Sequence, residues 1–298
     1  MDDSLSASAS GGEHQNGDSF AFAKVGPGPQ PWVLFGAGQM SGDANLDLAW
    51  RNTDTGRIVI VERDGVGDTV QEVAVNPLFS GSDWGPVAAK DMDSDGISDV
   101  IWRNVFSGQF SVWYLNGSGG LKASGVGIGT TQAPGADLQF AGIQDANNDG
   151  VGDIHWRSTS TGSITTWFID SSRNVVSQQN DVGAIIPSSS NWSLVGAMER
   201  NGDGVADYLW RWEPDGRHGA WHMNNGGTVN QIFDWVGRQY LTSGPYQVTS
   251  FGDFNGDGFG DIGWTNDTDG LYAAWTLNAS GVLISVDYYV PPADPDAV

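Results

Sequence analysis

Residues 191–212 read NWSLVGAMERNGDGVADYLWRW, and this stretch contains the pattern that decides the fold. An acidic turn at 199–207 separates two segments in which apolar and polar residues alternate. Alternation over six to eight residues, bounded by Gly, Asn and Asp, predicts β-strands joined by tight turns. The four strands predicted in this part of the chain are residues 191–198, 207–212, 217–223 and 228–236.

The same plan recurs five times, and five tryptophans mark the copies at intervals of 52, 54, 54 and 54 residues. No copy shows the 3.6-residue apolar period of a helical repeat. Four short strands in each repeat of about 54 residues are typical of a propeller blade. The sequence therefore predicts an all-β fold, a β-propeller of five four-stranded blades. The marker residues are Trp50, Trp102, Trp156, Trp210 and Trp264.

The repeats predict a single propeller over residues 19–292, preceded by a leader at 1–18 and followed by a tail at 293–298. The leader is rich in Ser, Gly, Ala and Asp, which is the composition of a flexible segment. Segments at 19–26 and 282–290 both resemble a fourth strand. Either could close the ring, and a fragment of a longer propeller is the alternative.

Charge limits the classes of partner. The chain carries 36 acidic and 13 basic residues, which gives a net charge of −23. A surface of this sign repels nucleic acid and anionic membranes. The absence of cysteine excludes a disulfide scaffold, and no run of 18 apolar residues predicts a membrane helix. Met1 is followed by two acidic residues, so no signal peptide is visible.

Acidic loops between the first and second strands carry the strongest chemical signal. Oxygen-bearing side chains occupy loop positions one, three and five, with Gly at six and Asp at nine. Ca²⁺ takes six to eight oxygen ligands, and alternate residues of a tight loop converge on one centre. An Asx-rich hairpin without metal is the alternative. The four loops are DMDSDGISD (91–99), DANNDGVGD (145–153), ERNGDGVAD (199–207) and DFNGDGFGD (253–261).

We expect about four calcium ions, one in each complete loop. The first copy, QMSGDANLD at 39–47, keeps only Asp43 and Asp47, so no strong site is expected there. The loop is not an EF-hand, because that motif has twelve residues, closes with Glu and lies between helices.

Residues 30–290 resemble the FG-GAP or VCBS-type repeats of bacterial exported proteins, which also occur in integrin α-subunits. The resemblance lies in the loop, the phrase VIWRN and the phrase WYLNG, in that order. It implies a propeller with calcium in the first hairpin of each blade. It also implies these ligands, the seventh position through its backbone carbonyl: Asp91, Asp93, Asp95, Ile97, Asp99; Asp145, Asn147, Asp149, Val151, Asp153; Glu199, Asn201, Asp203, Val205, Asp207; Asp253, Asn255, Asp257, Phe259, Asp261.

A second candidate site lies at the ends of the second strands, opposite the acidic loops. An arginine beside an aromatic ring and an amide suits sugar hydroxyls or a carboxylate. The alternative is that the tryptophans pack between blades and the arginines pair with neighbouring acids. The candidate residues are Trp50, Arg51, Asn52, Trp102, Arg103, Asn104, Trp156, Arg157, Trp210 and Arg211.

The sequence favours a calcium-stabilised recognition module outside the cell, either secreted or at the cell surface. Its expected partner is a glycan or another cell-surface ligand. The alternative without a ligand is a structural spacer in an adhesin. A glycan-active hydrolase or lyase is the other alternative, because Asp137, Asp181, Glu213 and Asp234 stand outside the repeat. His155 also breaks the repeat, and we expect it at the surface.

Overall fold

The computed structural model of the chain describes residues 31–292 without 44, 65–67, 76–82, 130–136, 237–245, 267, 269–270 and the side chains of 232–235 and 246. The strands within these residues are β1 Trp32–Gly38, β2 Asp47–Asn52, β3 Ile58–Arg63, β4 Thr69–Val75, β5 Trp84–Lys90, β6 Asp99–Asn104, β7 Phe110–Leu115, β8 Leu121–Ile128, β9 Leu138–Gln144, β10 Asp153–Ser158, β11 Ile164–Ile169, β12 Val175–Asn180, β13 Trp192–Met198, β14 Asp207–Trp212, β15 Arg217–Met223, β16 Val229–Val236, β17 Tyr246–Gly252, β18 Asp261–Asn266, β19 Tyr272–Leu277 and β20 Leu283–Tyr289.

Every four consecutive strands form one antiparallel sheet in chain order, and the five sheets stand in a ring. The chain is a five-bladed β-propeller. The sequence pattern placed the four strands of blade 4 within one residue of their observed ends. In the described ranges, no helix is long and apolar enough to cross a membrane.

The ring closes where β1 packs against β17, and each blade uses four strands that follow one another in the chain. The fourth strand of blade 5 is β20, which corresponds to the predicted segment 282–290. The other candidate closing segment, 19–26, lies outside the described residues, as do the predicted leader and tail.

Tryptophans form the core between the blades. Trp50, Trp102, Trp156 and Trp210 are completely buried on the second strands. Three of the second-strand rings lie 4.7 Å from a third-strand tryptophan of the same blade. The apolar clusters combine residues of neighbouring blades, so the repeat encodes the packing between blades.

Small residues bring the first strands of neighbouring blades together around a central channel. A Cβ atom added to Gly36 would lie 2.7 Å from the Cβ of Ala89, and one added to Gly196 would lie 2.7 Å from the ring of Phe251. Real Cβ atoms do not approach so closely, because close-packed interiors leave no such space. Glycine at these positions therefore permits the tight inner ring.

We expect Gly36→Ala to lower the free energy of unfolding by about 1–3 kcal/mol, the usual effect of overpacking. Gly127→Ala is the control, since a Cβ atom at Gly127 on β8 would meet no atom within 4 Å. Urea unfolding of both variants measures the difference. Equal midpoints for the two variants would contradict this account of the inner ring.

Candidate functional site

The two candidate sites lie on opposite faces of the disc. In each blade, the acidic loop joins the first strand to the second, and the turn that follows the Trp-Arg phrase joins the second strand to the third. Since the strands are antiparallel, these connections lie at opposite ends of the sheet. We call the side with the acidic loops the loop face and the other side the turn face.

The aspartate at loop position nine is fully buried in each of the five loops. Asp99 is fully buried, and its Oδ2 accepts a hydrogen bond from the backbone N–H of Met92 at 3.1 Å. Its Oδ1 accepts the N–H of Leu115, at the end of β7, at 2.9 Å. The same two hydrogen bonds are made by Asp47, Asp153, Asp207 and Asp261.

Burial raises the pKa of these carboxyls, to about 8 for Asp99 and Asp207 and to about 7 for Asp153 and Asp261. Neighbouring acids of the same loop raise the pKa further, whereas the two backbone hydrogen bonds lower it. Without bound metal, these carboxyls therefore contribute most to the free energy of unfolding below about pH 4. The contribution falls as the pH rises and is lost once the pH passes the raised pKa values of about 7 to 8. A bound cation would offset this loss at neutral pH.

The first loop position organises the turn itself. Asp91 Oδ1 accepts the N–H groups of Asp93 and Ser94, and its Oδ2 accepts that of Gly96 at 2.7 Å. The backbone is left-handed at Ser94 (φ 61°) and Gly96 (φ 84°), which explains the glycine at position six. Asp145, Glu199 and Asp253 accept backbone N–H groups of their own loops in the same way.

In blade 2, the loop offers the best fit to a cation. The carboxylate oxygens of Asp91, Asp93 and Asp99 lie within 4.8 Å of one another. One oxygen of Asp93 is buried without a hydrogen-bond partner. The Lys122 ammonium lies 3.5 Å from Asp93 and contacts Asp95, so this loop already attracts a positive charge. Clustered carboxylates that repel one another are the ligands that Ca²⁺ prefers.

Loops in blades 3 to 5 carry Asn at position three. Asn147 Nδ2 donates to Asp149 at 2.9 Å, and Asn255 Nδ2 donates to Asp257 at 3.1 Å. Among the described residues, these loops do not bring three acidic side chains as close together as the blade 2 loop does. Calcium in the four loops, and the predicted carbonyl ligands at position seven, therefore stay predictions.

Neighbouring loops are hydrogen-bonded to one another across the seams between blades. The N–H at position eight of one loop donates to the carbonyl at position one of the preceding loop. The bonds run from Ser98 to Gln39 (2.6 Å), from Gly152 to Asp91 (3.0 Å) and from Ala206 to Asp145 (2.6 Å). These bonds link the loops of blades 1 to 4 in succession.

On the turn face, the tryptophans and asparagines of the predicted site have structural roles. The four tryptophans are buried between blades. The side chains of Asn52 and Asn104 accept two backbone N–H groups each from their own turns. Asn52 and Asn104 therefore hold the turns in shape, and the arginines are the part of the motif that faces outward.

Three of the arginines each bridge one seam between neighbouring blades. Arg51, Arg103 and Arg157 place their guanidinium carbons 5.9, 5.5 and 5.1 Å from the ring centres of the next blade's tryptophans. Arg157 also donates to the carbonyls of Ile186 and Trp192 at 3.3 and 3.5 Å. Arg51 and Arg103 are partly exposed and make no hydrogen bond within the described part of the chain.

The position of His155 was predicted wrongly from the sequence. His155 is completely buried, so the expectation of a surface position was wrong. Its Nδ1 lies 2.9 Å from the Tyr208 hydroxyl of the next blade and its Nε2 lies 2.9 Å from the Gln144 carbonyl oxygen. Burial lowers the pKa of His155 and of His218 to about 4, so both are neutral at pH 7.

The structure describes the side chains of three of the four acids that stand outside the repeat. Asp137 accepts hydrogen bonds from Ser158 (2.6 Å), Thr159 and Ser160, which lower its pKa to about 2 and fix a turn. Asp181 and Glu213 are exposed. The side chain of Asp234 is not among those described.

No family model matches the chain, and no curated protein matches it. Among solved structures, a lectin from Agrocybe aegerita described as recognising non-reducing terminal N-acetylglucosamine is 15% identical, with a TM-score of 0.46 over 87% of this chain and 66% of its own. A catalytically inactive virginiamycin B lyase from Staphylococcus aureus with quinupristin is 13% identical, with a TM-score of 0.39 over 89% and 72%. Each TM-score is below 0.5, so these similarities carry no argument about function.

We expect Asp47→Ala to destabilise the protein by roughly 3 kcal/mol, because it leaves the buried or partly buried backbone N–H groups of Met40, Ser41 and Arg63 without their acceptor. The loop of Asp47 lacks acids at positions one and three, so the loss should be the same with and without calcium. Asp54→Ala, at an exposed turn residue, is the control. A loss seen only in the presence of calcium would show that the role of Asp47 is to bind metal.

Proposed function

We propose that the chain is a calcium-stabilised recognition module of the FG-GAP or VCBS type that works outside the cell and binds glycans on its turn face. The observation that carries this proposal is that the guanidinium groups of Arg51 and Arg103 have hydrogen-bond donors free for a ligand. Each is held against an aromatic ring of the next blade, and neither makes a hydrogen bond in the described structure.

A guanidinium carries five N–H donors in a planar fork, which matches a pair of sugar hydroxyls or a carboxylate. Stacking on a ring fixes its orientation, so little freedom remains to be lost on binding. Two such groups in neighbouring blades offer similar weak sites on one face. A branched or repeating glycan that reaches both would bind more tightly through the higher effective concentration of the second contact.

Calcium supports the same proposal through stability. The four complete loops contain four carboxylates in blade 2 and three in each of blades 3 to 5, and four Ca²⁺ would change the net charge from −23 to −15. Extracellular calcium modules bind with Kd values of about 10⁻⁴–10⁻³ M. Such sites would be nearly empty at cytosolic calcium levels, which supports a location outside the cytoplasm.

Removal of calcium should lower the melting temperature. At a Kd of about 0.1 mM and about 1 mM free calcium, each site contributes about 1.4 kcal/mol, so four contribute roughly 6 kcal/mol. Thermal melts with millimolar calcium and with excess chelator measure the effect, and magnesium serves as the control cation. An unchanged midpoint would contradict calcium binding and remove the argument for an extracellular location.

For glycan binding, we expect Arg103→Ala to weaken affinity at least about tenfold, because a hydrogen bond to a charged group contributes about 1.5–3 kcal/mol. Arg103→Lys is the matched variant, since it keeps the charge but removes the planar fork. Binding to a glycan array and the melting temperature are measured for both. Glycan binding that falls only in proportion to the folded fraction would make Arg103 a packing residue.

A further inference from the structure

The central channel holds a cavity of about 650 Å³ between the five first strands. This volume lies within the range of sites that hold small molecules, which is about 300–1,000 Å³. Its lining changes along the axis. Toward the turn face it is apolar, with Val87, Phe140 and Val248, whereas toward the loop face it is polar, with Lys90, Gln144 and Glu199.

Lys90 lies at the position before the acidic loop, where size-matched pairs fill each seam. The last residue of a first strand packs against loop position eight of the next blade. The Cγ of Lys90 lies 2.9 Å from where a Cβ of Gly152 would be, and the Cε of Met198 lies 3.0 Å from that of Gly260. Met198 fills its seam without a charge, so packing explains the stem of Lys90 but not its ammonium group.

Two polar side chains at the loop-face end of the cavity have no hydrogen-bond partner within the described residues. Lys90 makes no hydrogen bond or salt bridge within the described residues. Gln144 is 8% exposed, and its side-chain amide also has no hydrogen-bond partner there. Lys90 is half-buried, and both donor groups stay accessible to the channel, so a group that enters the channel can accept hydrogen bonds from them.

The acids around this end are already engaged. Asp91, Asp145 and Glu199 line the cavity and their charges act on Lys90, but each accepts backbone N–H groups of its own loop. Their negative charge disfavours an anionic ligand. A hydroxyl group suits this setting, because it accepts from an ammonium or amide and donates to a remaining carboxylate lone pair.

We propose that the loop-face end of the central channel binds a neutral sugar unit, with Lys90 and Gln144 donating hydrogen bonds to its hydroxyl oxygens. The choice of a sugar rests on the proposed function, but the residues are separate from the arginines of the turn face. The protein would then hold one glycan end in its channel in addition to the repeated contacts on the opposite face.

Saturation-transfer NMR with the full chain in calcium tests this site. The probes are neutral hexoses, N-acetylhexosamines and hexuronic acids. Lys90→Met introduces the residue that blade 4 has at this position, and Lys90→Gln introduces that of blade 3. Lys122→Met, which removes a lysine outside the channel lining, is the control for charge. Melting temperatures show whether each variant is folded.

We expect at least one neutral sugar to bind the wild type, and its Kd to rise at least about tenfold in Lys90→Met and Lys90→Gln. Lys122→Met should leave this Kd unchanged. Equal affinity in folded Lys90 variants, binding of uronic acids alone, or no sugar signal would overturn the channel site. A glycan array that stays positive and depends on Arg103 would then leave the proposed function standing, whereas a negative array would contradict that function.

Discussion

A buried aspartate that accepts two backbone hydrogen bonds is the interaction on which each blade depends. At loop position nine it joins the turn after the first strand to the end of the third strand, across the second strand that carries it. Asp47 makes the same pair of bonds in the blade whose loop lacks the other acids. The aspartate is therefore part of the fold first, and any metal would add to a loop that is already shaped.

On the turn face, the residues that pack the seams between blades lie beside those that we propose to bind a ligand. Each tryptophan is buried between blades, and the arginine of one blade lies over the tryptophan of the next. A ligand that contacts the guanidinium groups would therefore bind directly on the seams. Because the loops are also hydrogen-bonded across seams on the opposite face, occupancy of either face should resist separation of neighbouring blades.

Much of this fold can be predicted from local pattern. Alternation and turn glycines placed the strands of blade 4 within one residue, because both signals depend on a strand's own residues. Local pattern did not predict which residues of the candidate site are buried and which bind their own turn. Trp102 and Asn104 resemble a binding motif in sequence, but one is buried and the other holds its turn.

Buried polar groups were the least predictable part of the site. His155 forms a hydrogen bond with Tyr208, a residue 53 positions away on the next blade. No local sequence pattern predicts such a partner. Its position in only one repeat was the available signal. The acids at position nine were identified as ligands because their spacing fits calcium, whereas their bonds to the third strand, such as that from Leu115 to Asp99, depend on the three-dimensional register.

The size-matched pairs at the seams also fix the order of the blades. Lys90 meets Gly152, whereas Gly38 meets Ser98 and Gly252 meets Leu46. If blades 1 and 2 exchanged places in the ring, Lys90 would press on Leu46 and overfill one seam, while Gly38 beside Gly152 would leave a void in the next. Repeats that are similar in sequence thus differ in the residues that contact the next blade. These differences favour the native order of the blades over other orders during folding.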